Sequence, residues 1–205
     1  MQNDCNRFPQ SVMSKRAFDL TFASLVLLLI WPVFFIISAF ILLDTGTPIF
    51  YRGIRIGLNG KPFKIYKFRS MIQNCGSTAT GHNDPRITRV GRYIRRYKLD
   101  ELPQLINVIR GEMSIVGPRP EVEEHTSVYT DEEKVILSVL PGITDFSSIR
   151  FYNLNELLGT EDPNTVFKEK YRDEKNQLRI KYVQEHSFGV DMKIIWLTLA
   201  RMVKR

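Results

Sequence analysis

Leu20–Leu43 reads LTFASLVLLLIWPVFFIISAFILL, and its 24 positions hold no charged residue. At about 1.5 Å per residue such a run makes a helix of roughly 36 Å, enough to cross a hydrocarbon core of about 30 Å. The fold turns on what this helix does in a membrane. Pro32 stands near its middle, where it removes one helix hydrogen bond and crowds the preceding turn. Arg7, Lys15 and Arg16 precede the run, and Arg52, Arg55, Lys61, Lys64 and Lys67 follow it. Under the positive-inside rule both flanks favour the cytoplasm, which a bent, re-entrant helix hairpin satisfies and a straight span does not. A Pro-containing span stays open on these grounds, because spanning helices tolerate Pro. The run is longer than the apolar region of a cleaved signal peptide and lacks a small-residue cleavage site after Leu43, so it is expected to be retained.

Roughly 160 residues follow this segment, enough for one modest domain with its own core. The chain carries a formal charge of +7, and residues 61–119 alone hold 12 Lys and Arg against 4 Asp and Glu. A basic patch of this kind suits nucleic acid, anionic headgroups or a phosphorylated substrate. No helix-turn-helix, zinc-finger or aromatic RNA-binding signature accompanies it, so nucleic acid is not an expected partner. Cys5 and Cys75 form neither a disulfide framework nor a zinc motif, which fits a reducing, cytoplasmic setting. His82, His125 and His186 are scattered without ligand spacing and read as surface residues. The chain shows no internal repeat, Walker phosphate loop or Gly-x-Gly-x-x-Gly motif.

Most of the chemistry is concentrated in Lys98–Pro120, KLDELPQLINVIRGEMSIVGPRP. Two adjacent carboxylates, Asp100 and Glu101, stand behind Arg92, Arg95, Arg96 and Lys98 and ahead of a Gly117-Pro118-Arg119-Pro120 turn. Asp is a favoured N-cap and Pro103 is tolerated in a first turn, so a helix is expected to start here and to stop at Gly111. Such a helix start favours the ionised form of Asp100 and can bind a phosphate. Neighbouring helix positions do not face each other, so the two carboxylates are expected to differ in role: one attacks, the other holds a metal. In isolation Leu-Asp-Glu-Leu is an ordinary solvated helix start; the surrounding arginines are what point to phosphate chemistry.

Thr47–Arg55 and Pro62–Met71 are predicted as strands joined by an Asn59-Gly60 turn. Along the second strand the two-residue period sets Lys67 and Arg69 on one face. Residues 73–84 read as a flexible loop, Pro141–Thr144 as a short loop, and Arg86–Tyr97, Asp131–Val139 and Asn164–Glu185 as helices. Phe188–Arg205 mixes apolar residues with Lys193, Arg201, Lys204 and Arg205, which suits either an interfacial helix with Trp196 near headgroups or a core-packed amphipathic helix.

Four ordered blocks follow Lys15-Arg16-Ala17-Phe18-Asp19: residues 64–71 (KIYKFRSM), 84–91 (DPRITRVG), 99–105 (LDELPQL) and 113–120 (MSIVGPRP). From that first motif nearly to the C-terminus the chain closely resembles the bacterial sugar transferase family, the monotopic phosphoglycosyl transferases. The resemblance implies an α+β, mainly helical fold: an N-terminal arm (1–14), a re-entrant membrane helix bent at Pro32 (15–46), and a compact cytoplasmic catalytic domain with a small β-hairpin and interfacial helices (47–205). It implies transfer of a sugar 1-phosphate from a nucleoside diphosphate sugar, usually a UDP-sugar, to polyprenol phosphate, with release of the nucleoside monophosphate. That is a first membrane step of glycoconjugate assembly, at the cytoplasmic face of the bacterial inner membrane. The position matching Asp100 is the family's nucleophile and the position matching Glu101 serves Mg2+. Lys67, Arg69, Arg95 and Arg119 match residues expected to neutralise phosphate oxygens. Membrane lipids are further expected partners, and a homo-oligomer is compatible with the pattern.

The chain departs from the family after Pro141-Gly142-Ile143-Thr144, where many members continue Gly-Trp-Ala-Gln-Val and this one has Asp145-Phe146-Ser147-Ser148-Ile149. It also has Arg179 where an acidic residue is common. Both changes bear on sugar or nucleotide preference rather than on reaction type. The alternative reading, a membrane-anchored basic module that binds anions without catalysis, has no need for Asp100 and Glu101.

Overall fold

The computed structural model describes residues 10–72, 84–154 and 163–203. Helix α1 (Gln10–Thr45) is unbroken over 36 residues, with Pro32 inside it. Met13–Thr45 is long and apolar enough to cross a membrane. Its middle is bare: Leu28, Leu29, Trp31, Phe35 and Ile36 are all exposed.

Both ends of α1 rest on the rest of the protein. Near its start, the Arg16 guanidinium donates to the carbonyls of Val108 and Ile109, at 2.7 and 3.2 Å. One turn on, the buried Asp19 carboxylate accepts from Ser114 Oγ and Ile115 N–H, at 2.7 and 3.1 Å. Near its end, Ile37 and Ile41 pack with Phe68 and Ile94.

Strands β1 (Phe50–Ile56) and β2 (Pro62–Phe68) pair antiparallel, from Phe50 opposite Phe68 to Ile56 opposite Pro62. Asn59 and Gly60 both take left-handed backbone in the connection, which explains why those residue types stand there. Helix α2 (Arg89–Arg96) is capped by Thr88, whose hydroxyl accepts from Gly91 N–H. Then follow α3 (Gln104–Arg110), β3 (Ser114–Val116), the single turn α4 (Glu123–Thr126), β4 (Gly142–Thr144) and α5 (Phe146–Arg150). A helical turn, Pro163–Val166, runs through a π segment into α6 (Arg172–Glu185), and α7 (Phe188–Val203) ends the described chain.

The sequence anticipates the hairpin and the main helices. It misses the parallel pair β3/β4, in which Ser114 faces Gly142 and Val116 faces Thr144. Each strand has three residues, too few for a periodic signal, and β4 falls in the expected loop. The expected helix over Asp131–Val139 is a 3-10 segment, Glu133–Ser138. The loop expected at 73–84, and Cys5, Cys75 and His82 with it, lies almost wholly outside the described residues.

The main core joins α1 to the rest through Ala23, Ile65, Leu105, Val108, Met113, Ile115, Val116, Tyr182 and Ile194, all buried. Burying each large apolar side chain contributes roughly 1.5–3 kcal/mol. Helix α7 packs on the core through Ile194, which is buried, whereas Trp196, Leu199 and Val203 are exposed. Lys15 and Asp191, 2.5 Å apart, tie α1 to α7.

Candidate active site

Helix α2 runs out at Arg96, and Lys98 adopts left-handed backbone, φ 56°, turning the chain into a 3-10 turn, Leu99–Glu101. Helix α3 begins only at Gln104. The expected single helix with Asp100 as its cap is therefore two pieces. Pro103 has no N–H to give, so the ladder restarts after it, with Leu105 N–H donating to Leu102 and Ile106 N–H to Pro103. Gly111, at φ 82°, ends α3 as anticipated.

This turn sets Asp100 and Glu101 on the wall of a cavity of about 530 Å³. Lys67 from β2, Arg95 from the end of α2, Lys98, Arg119 and Lys175 of α6 also line it. The remaining wall is largely apolar, with Phe22 and Val26 of α1 and Ile195, Leu199 and Met202 of α7. Arg119 follows the parallel pair directly: Gly142 N–H donates to the Pro118 carbonyl at 3.0 Å, and a Cβ on Gly142 would lie 2.0 Å from Gly117 N, so the two segments approach as only glycine allows.

The two carboxylates have different surroundings. Glu101 accepts from Lys67 Nζ at 3.1 Å and from both terminal nitrogens of Arg119. Burial pushes its pKa up, but Arg119 and Lys67 outweigh burial and hold it well below the usual carboxylate range. Asp100, also buried, accepts no side-chain hydrogen bond among the described residues. Burial first, and then the charge of Glu101, raise its pKa. The helix start expected to favour the ionised form of Asp100 is instead a buried turn beside a like charge, which shifts its pKa in the other direction. Burial also lowers the pKa of Lys67 and Lys98.

Of the residues singled out from sequence, the cavity brings together Asp100, Glu101, Lys67, Arg95 and Arg119. Arg69 is placed elsewhere. Strand β2 ends at Phe68, the two-residue alternation stops with it, and the buried Arg69 guanidinium donates to Thr45 Oγ1 and to the Gly46 and Thr47 carbonyls at the end of α1. Pro32 lies in α1 outside the cavity lining. Ser147 and Ser148, in the segment that departs from the family, line the cavity too, and sequence reasoning missed Lys175, Tyr152 and Thr198, which also line it. They come from separate elements, and no local spacing connects them.

The comparison with known proteins agrees with this geometry. A family model described as bacterial sugar transferase matches residues 10–205. The chain is 42% identical over 191 residues to the UDP-glucose:undecaprenyl-phosphate glucose-1-phosphate transferase of Escherichia coli, covering 90% of this chain and 39% of that protein. It is 37% identical to the uncharacterized sugar transferase EpsL of Bacillus subtilis, covering 92% of this chain and 87% of that one. Against the exopolysaccharide production protein ExoY of Rhizobium meliloti it is 35% identical, with 93% and 86% covered. The chain therefore spans well under half of the first relative and most of the other two. With both the matched model and the carboxylate pair in its basic cavity, the chain belongs to the bacterial sugar transferase family.

Proposed function

We propose that this protein moves a sugar 1-phosphate from a nucleoside diphosphate sugar to polyprenol phosphate through a covalent phosphosugar on Asp100. The observation that carries the reading is the division between the carboxylates. Glu101 is engaged by two cations, while Asp100 faces the cavity with its oxygens unengaged. In the first step an Asp100 oxygen bonds to the sugar-bearing phosphorus, and the bond from that phosphorus to the nucleoside phosphate breaks with its electron pair leaving on oxygen. In the second, an oxygen of the lipid phosphate attacks the same phosphorus and Asp100 departs as carboxylate. No proton is consumed. Splitting the transfer lets a soluble donor and a membrane acceptor use one site in turn. Arg95, Arg119 and Lys67 offset the phosphate charge throughout.

The apolar wall supports a lipid acceptor. Polyprenol phosphate joins an anionic head to an apolar chain, and the cavity lining combines cations with Phe22, Val26, Ile195 and Leu199. The names of the relatives favour an undecaprenyl phosphate acceptor and, for the first, a UDP-sugar donor.

Magnesium is part of the proposal. With about two lone pairs on each carboxylate oxygen, Glu101 Oε1 meets both Lys67 and Arg119, while Oε2 meets Arg119 alone and keeps one free. No group of three His, Cys, Asp or Glu able to hold a metal occurs among the described residues. The donor set therefore fits an ion that takes one or two carboxylates and fills its shell with substrate phosphates and water, as Mg2+ does. Glu101 would hold it, and when bound the ion withdraws charge from the phosphate oxygens.

The membrane helix is read as re-entrant, with the catalytic part on the cytoplasmic face. Arg16 and Asp19 before the apolar run and Thr45 after it all bind the same globular part, which a helix crossing the bilayer perpendicularly would prevent. The test of function is incubation with polyprenol phosphate and a panel of UDP-sugars. UMP release with at least one sugar, lost in excess chelator and restored by Mg2+, is expected; no release with any nucleotide sugar leaves only an anion-binding module.

A further inference from the structure

Five cations line the cavity, and three already have a carboxylate: Lys67 and Arg119 share Glu101, and Lys175 lies 3.2 Å from Glu121. Arg95 and Lys98 have none among the described residues. The Lys98 ammonium instead sits 5.2 Å from the centre of the Tyr152 ring, a contact that holds a cation without neutralising it.

The backbone at Lys98 is also unusual. Among the described residues only Asn59 and Lys98 take positive φ without being glycine. Asn59 belongs to a residue type that tolerates this region in turns; lysine does not. Directly after a helix such as α2, glycine is the residue that normally makes the turn. A lysine stands here against backbone preference, two residues before Asp100 and lining the cavity. Strain of this sort at a cavity wall points to function.

We propose that Lys98 is a catalytic residue that receives the leaving phosphate of the sugar nucleotide. The proposal rests on the covalent-transfer reading. When Asp100 bonds to the sugar-bearing phosphorus, the pair from the breaking P–O bond settles on an oxygen of the nucleoside phosphate, and negative charge grows there. Lys67 and Arg119 are tied to Glu101. Of the two lining cations without a carboxylate, Arg95 already donates to Met71 Sδ, and Lys98, two residues before the nucleophile and within its electrostatic reach, is the compact point charge. The Tyr152 ring keeps the ammonium in the cavity until the second phosphate arrives.

The test compares pyrophosphate with orthophosphate binding to the full chain in detergent micelles, alongside its melting temperature. Wild type is expected to bind pyrophosphate more tightly, because only pyrophosphate reaches both phosphate positions. Lys98→Gly relieves the backbone and removes the charge, so its melting temperature should match or exceed wild type while pyrophosphate affinity falls about tenfold, the loss typical of one charged hydrogen bond. Lys98→Asn, which also accepts this backbone, should behave alike and guards against a loosened turn. Lower melting temperatures in both variants, pyrophosphate affinity within about twofold of wild type, or no preference for pyrophosphate in wild type each overturn the proposal. If both variants lose the preference while sugar label never reaches Asp100, the Lys98 position stands and the covalent reading fails.

Discussion

Arg119 grips Glu101 with both terminal nitrogens, Nη1 to Oε2 at 2.9 Å and Nη2 to Oε1, while Lys67 reaches the same Oε1 at 3.1 Å. The pairing favours Glu101 as an anion, and its charge adds to burial, the larger cause, in raising the pKa of Asp100. Under the covalent reading a more basic carboxylate is the stronger nucleophile once ionised, so the clamp on one residue would tune the other.

Replacing Glu101 with Gln leaves two largely buried cations facing a neutral amide. The side chains of Lys67 and Arg119 are 20% and 28% exposed, so solvent screens part of the loss. Denaturant unfolding at pH 7 should show about 1–2 kcal/mol less stability, and turnover should nearly vanish. The Glu101 pKa lies below its ordinary 4.5 in the folded protein, so its contribution is present above that value and lost as pH falls through the folded one. The stability gap between variant and wild type should close in acid.

Asp100 behaves oppositely. Its folded pKa lies above the ordinary 3.8, so the folded state holds this proton more tightly than the unfolded one. Stability is lost as pH rises from the ordinary value through the folded one. Asp100→Asn should therefore be at least as stable as wild type at pH 7 while inactive. In wild type, kcat/KM for the donor should rise with pH through an acid limb above 3.8; a limb at or below that value contradicts the assignment.

With Cys5 and Cys75 replaced by Ser, cysteines introduced singly at the exposed positions Met13 and Val128 should both react with a membrane-impermeant reagent in inverted vesicles and neither in intact cells. Reaction of the Met13 variant from outside would exclude the re-entrant arrangement.

Gly142→Ala places a methyl group 2.0 Å from Gly117 N. The parallel pair must separate, at a cost of roughly 3 kcal/mol, and Arg119 loses its fixed approach to Glu101. A fall in melting temperature with a parallel fall in turnover is expected; an unchanged melting temperature would show that the strands part freely.

The long apolar helix, the hairpin and the carboxylate pair are legible in the sequence because each rests on a local signal: an uncharged run, Asn59-Gly60, adjacent Asp100 and Glu101. Lys67 is legible for the same reason, as it alternates within β2. Arg69 is not, since the strand ends one residue earlier and its side chain turns to the end of α1. The ionisation of Asp100 depends on burial that no spacing reports. The apolar wall from α1 and α7 joins residues as distant in sequence as Phe22 and Met202, and only the packed core brings them together.

The covalent step has the most direct test. Donor labelled in the sugar, mixed with wild-type protein and no polyprenol phosphate, should release UMP and leave label on the protein at Asp100, identified by peptide mapping. Adding polyprenol phosphate should then clear the label into lipid, and Asp100→Asn should neither take up label nor turn over. UMP release only when acceptor is present, or near-normal turnover by Asp100→Asn, would contradict the account and favour direct attack by the lipid phosphate.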